Sequence, residues 1–85
     1  SVCETLFKRL LKPAPGRPNA YIQAGQTMVM LESRQWKLAY SPLEKVVFDL
    51  TDDAILLEVP GDHGVHLVPW RAIVRITVSE GGPRL

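Results

Sequence analysis

The sequence predicts a mainly β domain: a small, strongly bent five-stranded barrel preceded by one amphipathic α-helix. Two changes of pattern lead to this fold class. Apolar residues follow the period of an α-helix over residues 1–12, and from Ala20 onward they recur at every second position, as in half-buried strands. A proline then interrupts the alternating run 66–78, which is typical of a strand that bends and changes partners. We therefore expect a single domain over residues 1–80.

Composition narrows the class of protein. A chain of 85 residues buries only about 60–65% of its unfolded surface, so its core is thin and self-association would add buried area. The formal net charge of +1 gives no general attraction to nucleic acid, so a basic surface has to be local. Because Cys3 is the only cysteine, an intrachain disulfide and a cysteine-rich zinc site are excluded. Without an apolar run of membrane-spanning length, we expect a cytoplasmic protein that does not bind membranes.

Residues 1–12 (SVCETLFKRLLK) form the predicted helix. Ser1 followed by Glu4 matches a capping box, and Pro13 ends the helix. A helix this short is marginal in water by itself, so we expect it to cover a core. At about 100° per residue, Val2, Cys3, Leu6, Phe7, Leu10 and Leu11 fall on one side, opposite Lys8, Arg9 and Lys12.

The remaining chain divides into a linker, the β region and a tail. Residues 13–19 (PAPGRPN) hold three of the seven prolines and are predicted to be a stiff linker. The barrel is expected to span 20–80, with its first β segments at 20–32 and 36–40. Residues 81–85 are predicted to be a flexible tail.

A β-hairpin is predicted in the middle of the chain. Residues 45–50 and 54–59 alternate apolar and polar side chains, and Thr51-Asp52-Asp53 between them is favourable turn chemistry. Residues 60–64 (PGDHG) are a second predicted turn, after which 65–68 returns as a strand.

Pro69 marks the predicted corner of the barrel. Proline cannot donate to a sheet ladder and therefore occupies strand ends, edges or bends. Beyond it the alternation resumes, with Ala72, Val74, Ile76 and Val78 on one face. Such a corner is how a small sheet curls into an SH3-like or OB-like barrel. A flat meander with the helix on one face is the alternative architecture.

This order of parts resembles the Sm-like family, which includes the bacterial RNA chaperone Hfq. The similarity lies in FDLTDDAILLEV (48–59), where a Phe-Asp pair precedes an Ile-Leu-Leu strand, and in HLVPWRAIVRITV (66–78), two apolar strands joined by a short turn. The sequence departs from the family at Pro69-Trp70, where a Lys-His pair is usual, and at Ser33-Arg34, where an Asn-Gly turn is usual. The resemblance implies a ring-shaped homo-oligomer, in which the fourth strand of one subunit pairs with the fifth of the next. It also implies binding of single-stranded RNA around the pore.

Basic and aromatic residues are the candidates for RNA binding. Trp70 offers a surface for base stacking, and Arg71 and Arg75 offer charge for phosphates. The simpler alternative is that Trp70 plugs the end of the barrel while the arginines are solvated or paired with acids. The full predicted interface consists of Trp70, Arg71, Arg75, Lys8, Arg9, Lys12 and Phe48.

Metal binding and catalysis find little support. Asp62, His63 and His66 lie near one turn, but a metal site needs further ligands and a supporting shell around them. A Gly-rich phosphate loop, a serine elbow and a Cys–His pair are all missing from the sequence. We expect neither enzyme activity, metal nor cofactor.

The leading hypothesis is a non-enzymatic, self-associating RNA-binding barrel. The alternatives are a protein–protein interaction or assembly module that uses exposed strand edges, and a small regulatory domain of a longer chain.

Overall fold

The computed structural model describes residues 2–61 and 64–80, with side chains from Glu4 onward. It confirms a mainly β domain with one N-terminal helix. The described strands number eight rather than the five expected, and they form two antiparallel sheets. The described helix is too short and too polar to cross a membrane.

Helix α1 spans Val2–Leu10, and short 3₁₀ turns occupy Pro42–Glu44 and Trp70–Ala72. The first sheet holds five strands in the order β1-β2-β5-β6-β7, and the second holds three in the order β4-β3-β8. The strands are β1 Lys12–Pro13, β2 Ala20–Ile22, β3 Thr27–Glu32, β4 Lys37–Tyr40, β5 Val47–Leu50, β6 Ala54–Glu58, β7 Val65–Pro69 and β8 Arg75–Glu80.

The apolar side of α1 covers the core, as predicted. Phe7 is fully buried, and its ring meets those of Tyr21 and Phe48 edge-on at centroid distances of 6.2 and 5.7 Å. Leu11 is buried one turn further on, where its backbone N–H donates to the Phe7 carbonyl. The predicted capping residue Ser1 lies outside the described residues.

Residues 13–19, predicted as a stiff linker, lie at the turn of a hairpin in the structure. Lys12 and Pro13 pair with Ile22 and Tyr21, so this segment is the turn of a narrow hairpin joined to the five-stranded sheet. Ala14 is buried and its N–H donates to the Ala20 carbonyl, which explains why the prolines do not keep the chain extended.

The central hairpin is confirmed. Strand β5 pairs with β6 in a register that places Leu50 opposite Ile55. Thr51 closes the turn, because its hydroxyl donates to the Ala54 carbonyl and accepts from the Ala54 N–H. The inward-facing residues of this hairpin form much of the core, namely Val46, Phe48, Leu50, Ile55 and Leu57.

The corner at Pro69 is also confirmed. Strand β7 pairs with β6 in one sheet, whereas β8 pairs with β3 in the other, and the 3₁₀ turn after Pro69 joins them. The predicted alternation beyond the corner fails at Val74, which is 59% exposed, while Ile73 packs against the core. The helical turn shifts the phase of the side chains, so strand alternation starts only in β8.

Candidate functional site

Strand β7 presents an apolar edge. In the described part of the chain it is the last strand of the five-stranded sheet and pairs on one side with β6. Val65 is 57% exposed and Leu67 is 63% exposed, whereas Val68 points into the core. The strand sequence VHLVP contains none of the lysines or acids with which proteins usually protect a sheet edge.

The register shows which backbone groups line this edge. The Trp70 N–H donates to the Asp53 carbonyl at 3.1 Å, which identifies that pair as hydrogen-bonded across the ladder. Hydrogen-bonded pairs alternate along antiparallel strands. Val65 and Leu67 therefore direct their N–H and C=O groups away from β6, toward the edge, and Pro69 directs a carbonyl there.

A groove runs along the same edge. Its volume is about 560 Å³, and Trp36 and Leu38, at the beginning of the three-stranded sheet, form its opposite wall. Both residues are half-buried and pack against the core. We call this feature the β7 groove; its lining includes Trp36, Leu38, Val65, Leu67 and Pro69. It combines apolar walls with backbone donors and acceptors, as an added strand requires.

The corner itself holds a second cleft, of about 570 Å³, beside Trp70. Trp70 is half-buried against the core, and its indole N–H donates to the Thr51 carbonyl at 2.7 Å. Asp52, Asp53 and Arg71 line the same cleft. This corner cleft, lined by residues 51–54, Leu67 and 69–71, therefore carries more acidic than basic charge, which disfavours phosphate.

The predicted RNA-binding residues do not converge on one site. Arg71 is exposed beside Trp70, but Arg75 pairs with Glu32 at 3.1 Å. Lys8, Arg9 and Lys12 are exposed and line none of the clefts at the corner.

Phe48 has to be removed from the predicted RNA interface. Its side chain is fully buried between the rings of Phe7 and Tyr40, with centroid distances of 5.7 and 6.0 Å. A ligand would reach it only through an opening of the core.

An ion cluster lies on the outer face of the five-stranded sheet. The Arg17 guanidinium binds Glu58 in a bidentate manner, at 2.7 and 2.8 Å, and lies 3.8 Å from Asp49. The hydrogen bond lowers the pKa of Glu58 and raises the pKa of Arg17. This cluster connects the 14–19 loop to the sheet.

In the described ranges, no three histidine, cysteine or acidic side chains come together as a metal site requires. His66 is exposed on β7. Asp62 and His63, which the sequence places near it, lie outside the described residues.

Sequence reasoning missed Val65 and Leu67 as interface residues. The signal was an uncharged strand between a glycine-containing turn and a proline, which is the pattern of an edge strand rather than a central one. In comparisons with known proteins, no family model, curated sequence or solved structure matches the chain.

Proposed function

We propose that this chain is a small assembly module in which the β7 groove binds strand β8 of a second copy. The observation that carries this function is the exposed, uncharged edge of β7, with Leu67 63% exposed beside backbone groups that point away from β6. Apolar edges of this kind are templates for strand addition.

Strand β8 is the best-suited occupant. It lies at the end of its own sheet and contains six residues, enough to match the five of β7. The other terminal strands are poorer candidates, since β4 has four residues and β1 has two, including Pro13. The Sm-like resemblance implies the same pairing, because β7 and β8 take the places of the family's fourth and fifth strands in the similar segment 66–78.

We further propose that the two sheets form an SH3-like or Sm-like barrel, and that its copies assemble into a closed ring. Two features support a barrel. The chain passes from one sheet to the other through the corner at Pro69, and β8 returns to pair with β3.

Light scattering coupled to size-exclusion chromatography tests the assembly. We expect a mass several times that of the 9.5 kDa chain. Leu67→Lys should reduce it to the monomer mass, because a buried ammonium in the β7 groove is unfavourable. Leu43→Lys is the matched control, since Leu43 is 89% exposed on a 3₁₀ turn away from the groove. A wild-type monomer at all concentrations would exclude this function.

Single-stranded RNA binding is a second candidate, and it is favoured by the exposed cations at the end of α1. Lys8 and Arg9 lie in its last turn, and Lys12 lies two residues beyond its end. Phosphate contacts of this kind weaken steeply as salt rises, whereas an apolar strand interface hardly responds.

Retention of a labelled oligouridine at low and high salt separates these functions. Lys8→Glu with Arg9→Glu should abolish retention and leave the mass in solution unchanged. Arg71→Glu with Arg75→Glu tests the corner in the same way. Retention that survives both pairs of substitutions would rule out the predicted RNA interface.

A further inference from the structure

Two arginines from distant parts of the sequence line one cleft near the corner. Arg34 lies in the turn between β3 and β4, and Arg71 lies in the 3₁₀ turn between β7 and β8. Both line a cleft of about 290 Å³, together with Trp36 and the exposed Val74. We call it the arginine cleft; the remaining lining residues are Ser33, Gln35 and Ala72.

The backbone holds the two turns against each other. The Ser33 hydroxyl accepts hydrogen bonds from the N–H groups of Gln35 and Trp36, both at 3.0 Å, which fixes the turn that carries Arg34. On the other side, the Ile73 N–H donates to the Trp70 carbonyl. A bond of 2.8 Å from the Val74 N–H to the Glu32 carbonyl connects the two turns. The cleft is therefore built on a fixed backbone frame.

The two arginines have no acidic partner in the lining of this cleft, although Arg71 also lines the corner cleft with Asp52 and Asp53. Arg34 and Arg71 are both exposed, and neither makes an ion pair with a residue in the ranges 2–61 and 64–80. No acid lines the cleft. The nearest acid along the chain, Glu32, is occupied by Arg75 at 3.1 Å and Lys37 at 3.8 Å. Two like charges facing one cleft favour an anion between them, and paired guanidiniums suit phosphate.

The wall of the cleft adds an aromatic surface. Trp36 is half-buried: it packs against the core and also lines the arginine cleft and the β7 groove. Planar heterocycles stack on such rings, each stack being worth about 1–3 kcal/mol. A volume of about 290 Å³ lies just below the usual range for ligand pockets, about 300–1,000 Å³, so the cleft suits only a small ligand. Phosphate and a flat ring together describe a nucleotide.

We propose that the arginine cleft binds a mononucleotide, with its phosphate between Arg34 and Arg71 and its base against Trp36. This site shares Trp36 with the β7 groove, but Arg34 and Arg71 do not line that groove, and Arg34 is not part of the predicted RNA interface. Failure of the chain to bind a mononucleotide would not contradict the proposed assembly function.

Fluorescence titration with AMP tests the site. The chain has two tryptophans, so Trp70→Phe leaves Trp36 as the reporter. We expect saturable quenching by AMP and much weaker responses to adenosine and to inorganic phosphate. Arg34→Gln and Arg71→Gln should each weaken binding about tenfold or more, as expected for loss of one charge-assisted hydrogen bond. Calorimetric titration of the wild-type chain gives the same comparison without the Trp70 substitution.

Lys37→Gln is the matched control. Lys37 is a nearby exposed cation that contacts Glu32 and does not line the cleft, so AMP binding should be unchanged. Equal responses to AMP and adenosine, an effect of Lys37→Gln as large as that of Arg34→Gln, or no saturable response would each overturn the proposal.

Discussion

The guanidinium of Arg17 donates two hydrogen bonds to the carboxylate of Glu58, at 2.7 and 2.8 Å. Arg17 belongs to the loop between β1 and β2, and Glu58 ends β6. The pair therefore fastens the N-terminal hairpin to the outer face of the sheet, across the intervening strand β5. Hydrogen bonding to Arg17, followed by the attraction of its charge, lowers the pKa of Glu58.

The stability that this pair contributes should disappear in acid. The folded-state pKa of Glu58 lies below the unfolded value of about 4.3. The contribution is therefore fully present above that value and is lost as the pH falls through the lower, folded pKa. Glu58→Gln should lower the midpoint of thermal unfolding slightly at neutral pH, because the pair is exposed. In melts followed by circular dichroism, the difference from wild type should vanish in acid. A difference that persists there would mean that Glu58 acts through packing rather than charge.

Phe48→Ala should destabilise the domain by about 3–5 kcal/mol, the usual cost of truncating a buried aromatic residue. The ring is fully buried and contacts two other rings edge-on. Urea unfolding measures the change. Leu43→Ala is the control and should cost almost nothing, since Leu43 is 89% exposed. If Phe48→Ala left the stability unchanged, the burial of Phe48 would be contradicted and the residue would again be a candidate for the RNA interface.

Thr51→Ala should cost about 1 kcal/mol of folding free energy. The Thr51 hydroxyl both donates to and accepts from the backbone of Ala54, at 2.8 and 3.0 Å, and no other side chain does so in this turn. Thr51→Ser keeps the hydroxyl and should retain most of the stability in the same urea titration. If serine were as destabilising as alanine, the methyl group rather than the hydrogen bonds would be responsible.

Lys45→Gly should stabilise the domain by about 0.5–1 kcal/mol. Lys45 is the non-glycine residue with positive φ in the described chain, at φ 54° and ψ 42°. The left-handed conformation costs a side-chain-bearing residue about 1–2 kcal/mol, which outweighs the extra backbone entropy that glycine loses on folding. Lys45→Ala keeps the strain and should match the wild type. A gain from alanine as large as that from glycine would assign the effect to the charge instead.

The sequence predicted the parts of the fold whose signal is local. The apolar side of α1, the hairpin around Thr51 and the corner at Pro69 each depend on spacing or turn chemistry within a few residues. The β1–β2 hairpin escaped prediction because its strands are two and three residues long, too short for a period to be visible. The prolines in the segment instead indicated a stiff linker.

The sites were harder to predict than the fold, because they join residues that are distant along the chain. Arg34 and Arg71 line one cleft because two turns lie side by side. Nothing in the sequence around either arginine indicates that they share it. The burial of Phe48, in contrast, could be predicted from the sequence, because alternation in β5 puts it on the same face as Val46 and Leu50, which are both buried.

The two ends of the five-stranded sheet are chemically unequal. The β1 end offers a two-residue strand that includes Pro13, whereas the β7 end offers five residues without charge. The proposed contact between β7 and β8 of another copy would join two different surfaces, so growth would be polar and each addition would present the same acceptor again. The rotation per added copy then sets the stoichiometry. A rotation that divides a full turn evenly terminates growth as a ring, and any other rotation yields an open helical filament.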